Sequence, residues 1–265
     1  MVLEKELTHR MFVILIQLCT VLGLLLCAAS TTAACARRPL WAERLFGAAW
    51  VAALLLFVYD WALAGAPPFG NMRHVLSFFP LVMAPAAWYL KSKAKLNLVG
   101  WLAGAAGIAL IGALCMPLQA HWRQMPALQS PWFAPHVTSY VLSYGLLAVA
   151  AVLAGVSFFR RGAEQSTADM NAADALLRLA FPFLCFGLGS GAVWADAAWG
   201  TYWGWDIKEA WSLLTWCLYL LYFHAARPLP SWRRPLLLLG FAAVLVTFFV
   251  VNLLPKIVSL HSYAQ

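Results

Sequence analysis

Eight apolar runs, most of them long enough to cross about 30 Å of hydrocarbon as a helix, dominate this 265-residue chain. They fall at 11–34, 46–65, 74–90, 97–116, 136–159, 175–198, 207–226 and 235–255. Hydrophobic residues make up 63% and charged residues 11%, where soluble domains are about half apolar and about a quarter charged. The fold class that follows is an all-α polytopic membrane protein, a bundle of about eight transmembrane helices with no separate soluble domain. The first run exceeds a signal-peptide core, so it reads as a retained helix despite the cleavage-like Ala33-Ala34-Cys35-Ala36. The third is short and contains Pro80 and Pro85, which predicts a kink.

Basic residues set the orientation. Arg37, Arg38, Arg44, Lys91, Lys93, Lys95, Arg160, Arg161, Arg178, Arg227, Arg233 and Arg234 fall in the odd-numbered loops. Lys5, Arg10, Arg73, Arg123, Lys208 and Lys256 fall on the opposite face. Twelve against six predicts cytoplasmic odd loops, with both termini outside. The formal charge of +8 is spread over short loops rather than gathered on one face, which excludes a nucleic-acid partner. The six cysteines form no C-x-x-C pair and read as small core residues rather than a disulfide frame, zinc site or redox pair.

Between the sixth and seventh runs lies W-A-D-A-A-W-G-T-Y-W-G-W-D-I-K-E-A-W, 194–211, with five tryptophans in eighteen residues. An interfacial aromatic belt and a shelf for a large flat apolar ligand both fit that composition. The predicted topology puts the loop outside, together with His9, His74, His121, His136 and His261. His224 alone falls on the cytoplasmic side, 18 residues beyond Asp206, or about 27 Å of helix at ~1.5 Å per residue. Taken singly, an outer histidine reads as an exposed loop residue, and His224 as one that snorkels beside Arg227. Taken together, imidazoles in apolar surroundings suit haem better than a bare metal. The chain has no H-E-x-x-H, no Cys/His cluster and no acidic cage. It also has no G-x-G-x-x-G and no Walker loop, so nucleotide binding has no support. The cluster Gly187-Leu188-Gly189-Ser190-Gly191 reads as a close helix-packing face.

The ordered motifs resemble the haem-handling superfamily of cytochrome c biogenesis named for its W-W-D motif, and within it the CcsA-type branch of system II. Leu128-Gln129-Ser130-Pro131-Trp132 leads to Pro135-His136-Val137 and Ser143-Tyr144-Gly145. W-G-T-Y-W-G-W-D-I-K-E-A-W follows at 199–211, and His224 closes the next helix. Val251-Asn252-Leu253-Leu254 and Leu260-His261-Ser262-Tyr263 are similar to the family's second outer histidine segment. K-E-A-W after W-D separates this branch from the related haem-delivery protein of system I. The likeness covers 128–265 strongly, so the chain is read as N-terminal helices (1–127) and a W-W-D core (128–265). Upstream, Pro68-Phe69-Gly70-Asn71-Met72-Arg73-His74 stands where many members have P-x-x-N-x-Y-E; the Tyr-Glu is missing.

The resemblance implies that His136 and His261 are the outer axial ligands of a non-covalent haem b. It implies that Trp199, Tyr202, Trp203, Trp205 and Asp206 hold the macrocycle, and that His224 serves a second haem position on the route from the cytoplasm. It implies a bacterial inner-membrane location, a CcsB-type membrane partner and an apocytochrome c whose C-x-x-C-H thiols receive the haem vinyls. The chain would then be a subunit of cytochrome c synthase. Arg73, Arg123, Lys208 and Lys256 stand as solvated charges or partners of haem propionates. A haem chaperone or sensor without attachment activity uses the same residues and remains open. A quinone-linked respiratory subunit is disfavoured by the single inner histidine, and a generic transporter is weaker still.

Overall fold

The computed structural model describes residues 2–118, 126–159, 161–225 and 230–250. Among these residues every regular element is helical. The chain divides into two compact units, Met1–Met125 and Pro126–Gln265.

The first unit holds α1 (Val2–Cys35), α2 (Pro39–Ala64), α3 (Met72–Ser77), α4 (Phe79–Lys93) and α5 (Val99–Cys115). α1 and α2 form a tight hairpin in which Ser30 Oγ donates to the Ala42 carbonyl at 2.7 Å. α5 lies against α1 through glycines. A Cβ on Gly100 would come within 2.6 Å of the Ala34 Cβ, and one on Gly107 within 3.5 Å of the Cys27 Cβ. Cys27 is wholly buried there. The expected small core role therefore holds for Cys27, but Cys35, Cys115 and Cys217 are exposed on helix exteriors.

The predicted kink at the third run is a break. α3 ends and α4 begins around Phe78, which leaves Pro80 in the first turn of α4, where its missing amide costs no helical bond; Pro85 is carried inside α4 without a break. Asn71 caps α3 by accepting the His74 amide at 2.9 Å. Arg73, expected as an outer charge, is 4% exposed. Its Nη1 donates to the Ala113 and Met116 carbonyls at 3.0 and 3.3 Å, so it caps the C-terminal end of α5.

The second unit holds a 3-10 turn (Pro126–Gln129), α6 (Phe133–Phe159), α7 (Ala163–Trp199), α8 (Ile207–Ala225), and α9 (Arg233–Leu245) continued by a π turn (Val246–Val250). α6 and α7 form a long antiparallel pair. α9 crosses α8 where Gly240 makes room for Tyr219; a Cβ there would lie 2.6 Å from the phenol ring. Arg234 ties one end of the unit together, donating to Ser157 Oγ at 2.8 Å and Ser166 Oγ at 2.6 Å. The start of α6, the end of α7 and the start of α8 lie at the other end. α7 begins twelve residues before its apolar run, because Ala163–Asp174 is polar and leaves no hydropathic trace.

Among the described residues, five helical segments are long and apolar enough to span a membrane: Met11–Cys35, Pro39–Leu63, Met72–Lys93 (α3 with α4), Phe133–Phe159 and Ala163–Trp199. Val99–Cys115 is a shorter apolar helix. Leu18, Leu25, Leu55, Ile108 and Phe159 are exposed on these helices. Such surface is unfavourable in water and suited to lipid.

Candidate functional site

Phe133-Ala134-Pro135-His136 opens α6, and the His136 ring falls between two turns of α7. Its Nδ1 lies 2.8 Å from the Gly187 carbonyl. Only a protonated Nδ1 can donate to that oxygen, so Nε2 carries the lone pair, the tautomer a metal ligand needs. Gly191 admits the ring: a Cβ there would sit 2.6 Å from both Nδ1 and Cε1. Gly187 likewise leaves room for Tyr140, whose ring a Cβ would approach at 3.2 Å. These two members of the glycine cluster thus create the histidine's seat.

Aromatic rings fix the imidazole plane. Trp194 stacks on it with centroids 5.4 Å apart at 27°, and Tyr140 meets it edge-on at 4.9 Å and 84°. Trp194 is 3% exposed and donates its indole N–H to the Ala127 carbonyl at 2.7 Å. That bond joins the Leu128-Gln129 segment to the end of α7. Phe133 and Trp199 pack on Trp194 at 5.1 and 5.0 Å. One continuous ring cluster therefore links His136 through Trp194 to Trp199, the first two tryptophans of the predicted shelf.

α7 stops at Gly200, whose φ of 74° supplies the left-handed cap, with its amide bonded to the Asp196 carbonyl at 2.8 Å. The glycine terminates the helix. Beyond it, Tyr202 and Trp205 are exposed, and Trp203 is half-buried and meets Trp205 edge-on at 5.8 Å. Trp205 itself adopts φ 56°, costly for a residue with a Cβ. Trp203 Nε1 is buried without a hydrogen-bond partner among the described residues. A buried indole N–H normally has one.

Asp206-Ile207-Lys208-Glu209 forms a reciprocal N-terminal cap. The Asp206 carboxylate accepts the Lys208 amide at 3.2 Å. The Glu209 carboxylate reaches back to accept the Asp206 amide at 3.1 Å and the Gly204 amide at 2.8 Å. Glu209 is 8% exposed, and an acidic group at a helix N-terminus also meets the favourable end of the dipole. Asp206 is thus tied into the loop through backbone amides. Glu209 is the stronger clasp, and its D-x-x-E spacing was the available signal. Trp194 had no such signal, because its partners lie 58 and 67 residues away.

The other candidates stand apart. His224 is exposed near the end of α8, with Nδ1 2.8 Å from the Leu220 carbonyl. His121, Arg123, Lys256 and His261 lie outside the described residues, as does the Val251–Tyr263 segment. No group of three or more metal-binding side chains occurs among the described residues.

The chain is similar to known proteins over most of its length. A family model described as cytochrome c assembly protein matches residues 49–259. The cytochrome c biogenesis protein CcsA of Guillardia theta is 32% identical over 239 residues, covering 77% of this chain and 78% of its own. CcsA of Gloeothece citriformis is 32% identical over 268 residues, covering 77% and 81%. A solved structure, the cytochrome c heme lyase CcmF, shares the fold with a TM-score of 0.63 at 20% identity. It aligns over 92% of this chain, which spans 46% of that longer protein. The chain thus belongs to the cytochrome c assembly family, in its CcsA branch, and serves cytochrome c biogenesis.

Proposed function

We propose that the second unit binds haem b non-covalently at the His136 end and presents it for thioether attachment to the C-x-x-C-H thiols of an apocytochrome c. The observation that carries this reading is His136 itself. Its ring is clamped by Trp194, and its Nδ1–H is spent on Gly187, which directs Nε2 to ligation. The surroundings fit a haem on two further counts. The ring cluster from His136 to Trp199 is apolar, and the buried Trp203 N–H calls for an acceptor such as a carboxylate.

When bound, haem supplies the vinyl carbons to which thiols add. The chain's own work is positional. His136 and His261 would hold the iron. Trp199, Tyr202, Trp203 and Trp205 set the ring edge, and Asp206 and Glu209 hold the loop that carries them. Holding reacting groups in alignment replaces a bimolecular search, the largest contribution available to such a site. No side chain here is assigned as acid, base or nucleophile.

The proposed setting is a bacterial inner membrane with this end facing the periplasm and both termini outside, following the basic-residue asymmetry. His224 is the one histidine on the cytoplasmic side, so a second imidazole for an inner haem position comes from another chain, a CcsB-type subunit.

The test is reconstitution with an apocytochrome peptide bearing C-x-x-C-H, haem and reductant. Covalent haem-peptide is expected with the wild-type complex. His136→Gly is expected to abolish it, with partial recovery on adding imidazole. Haem binding without covalent product would leave a chaperone. Normal product from His136→Gly would move the ligand elsewhere.

A further inference from the structure

The first unit holds a cavity that the haem reading does not use. It lies where α1 ends, α2 begins and α5 begins, and it measures about 570 Å³. Thr31, Arg37, Asn97 and Trp101 line it together with Ala34 and Ala42. The near-contact of α1 and α5 at Gly100 and Ala34 bounds it. Thr31 Oγ1, donating to the Cys27 and Gly100 carbonyls at 3.0 and 3.3 Å, braces the same crossing. The turn after α1 sets Arg37 at the rim, with φ 55° and its amide bonded to the Ala34 carbonyl at 3.0 Å.

The charge around this cavity is one-sided. Arg37 is the charged residue in its lining; Arg38, Arg44, Lys91, Lys93 and Lys95 stand near the lining residues in sequence, at the start of α2 and the end of α4, with a single carboxylate, Glu43, among them. Lys91 is ion-paired with Glu43, and Arg44 lies over the Trp41 ring at 5.8 Å. Arg37, Arg38, Lys93 and Lys95 have no second carboxylate in these segments. The cavity walls are otherwise apolar, and Trp101 is 41% exposed beside it.

We propose that this cavity binds the headgroup of an anionic phospholipid. A phosphate matches the Arg37 guanidinium and the Asn97 amide at the rim, and acyl chains match the exposed apolar faces of α1 and α5. A basic pocket between membrane helices at the cytoplasmic boundary is where such lipids are held, and Trp101 suits the interfacial level. The inference is independent of where haem binds.

The experiment uses the full-length protein in detergent, with native mass spectrometry and thermal melting after addition of phosphatidylglycerol or phosphatidylcholine. One retained phosphatidylglycerol and a raised melting temperature are expected, with neither effect from phosphatidylcholine. Arg37→Asn, which tolerates the left-handed backbone, is expected to weaken retention about tenfold, the size of a lost charged hydrogen bond. Asn97→Asp, on the exposed rim, adds a repelling charge and is expected to weaken it as well without unfolding. Arg44→Asn, outside the cavity, is expected to bind as wild type. Equal retention of the two lipids would overturn the proposal. So would equal loss from Arg44→Asn and Arg37→Asn, which indicates diffuse charge alone, or displacement of the lipid by one equivalent of haem, which makes the cavity a haem site.

Discussion

Glu209 and His136 show how single side chains set this site. Each spends its polar atoms on backbone: His136 on Gly187, Glu209 on the amides of Gly204 and Asp206. Hydrogen bonds to a charged group are worth about 1.5–3 kcal/mol each, so the Glu209 carboxylate is the main anchor of the loop. It acts as a positioning residue. Both amides bond the same oxygen, and a glutamine carbonyl can take that place. Glu209→Gln is therefore expected to keep haem occupancy near wild type, while Glu209→Ala loses haem or shifts its spectrum with the protein still accumulating in the membrane. Equal haem content in Glu209→Ala and wild type would remove Glu209 from the site. At this scale the sequence was only partly legible. His136 and the W-W-D residues stood out, and D-x-x-E was readable as a cap. The Trp194 clamp was not, since it depends on how α6, α7 and the 3-10 turn come together.

The elements divide by what hydropathy can see. Apolar runs located α1, α2, α5, α6, α8 and α9, because lipid demands long apolar stretches. They missed the start of α7, where a polar helix protrudes past the apolar run, and they merged α3 with α4 across a proline break. The loop between α7 and α8 carries the next test. Trp203 and Trp205 meet edge-on, one half-buried and one 72% exposed. If they form only an interfacial belt, Trp→Phe and Trp→Ala changes act alike and spare haem. The shelf reading expects Trp203→Ala with Trp205→Ala to lose haem or shift its absorption, while Phe replacements retain more. Unchanged occupancy in the double alanine variant would leave the histidines alone as the haem contacts.

For the whole molecule, orientation decides which residues share a compartment. Basic residues separate twelve to six, and the account expects reporter fusions after Lys95 and Arg161 to read as cytoplasmic. Fusions after Gln124 and Gln265 are expected to read as outside. A cytoplasmic C-terminus would part His261 from His136 and dismantle the two-histidine ligation. Membership of the family was legible from the order of motifs in the second half of the chain. The first half was legible in hydropathy alone, and its buried Arg73 and its cavity emerged only from the packing of five helices. The most direct measurement is the optical spectrum of the full-length protein purified with its partner, oxidised and reduced. The account predicts a low-spin haem b with two imidazole ligands, which His136→Gly converts to a one-imidazole species restored by added imidazole. A colourless wild-type complex, or a bis-imidazole spectrum that survives His136→Gly unchanged, would contradict it.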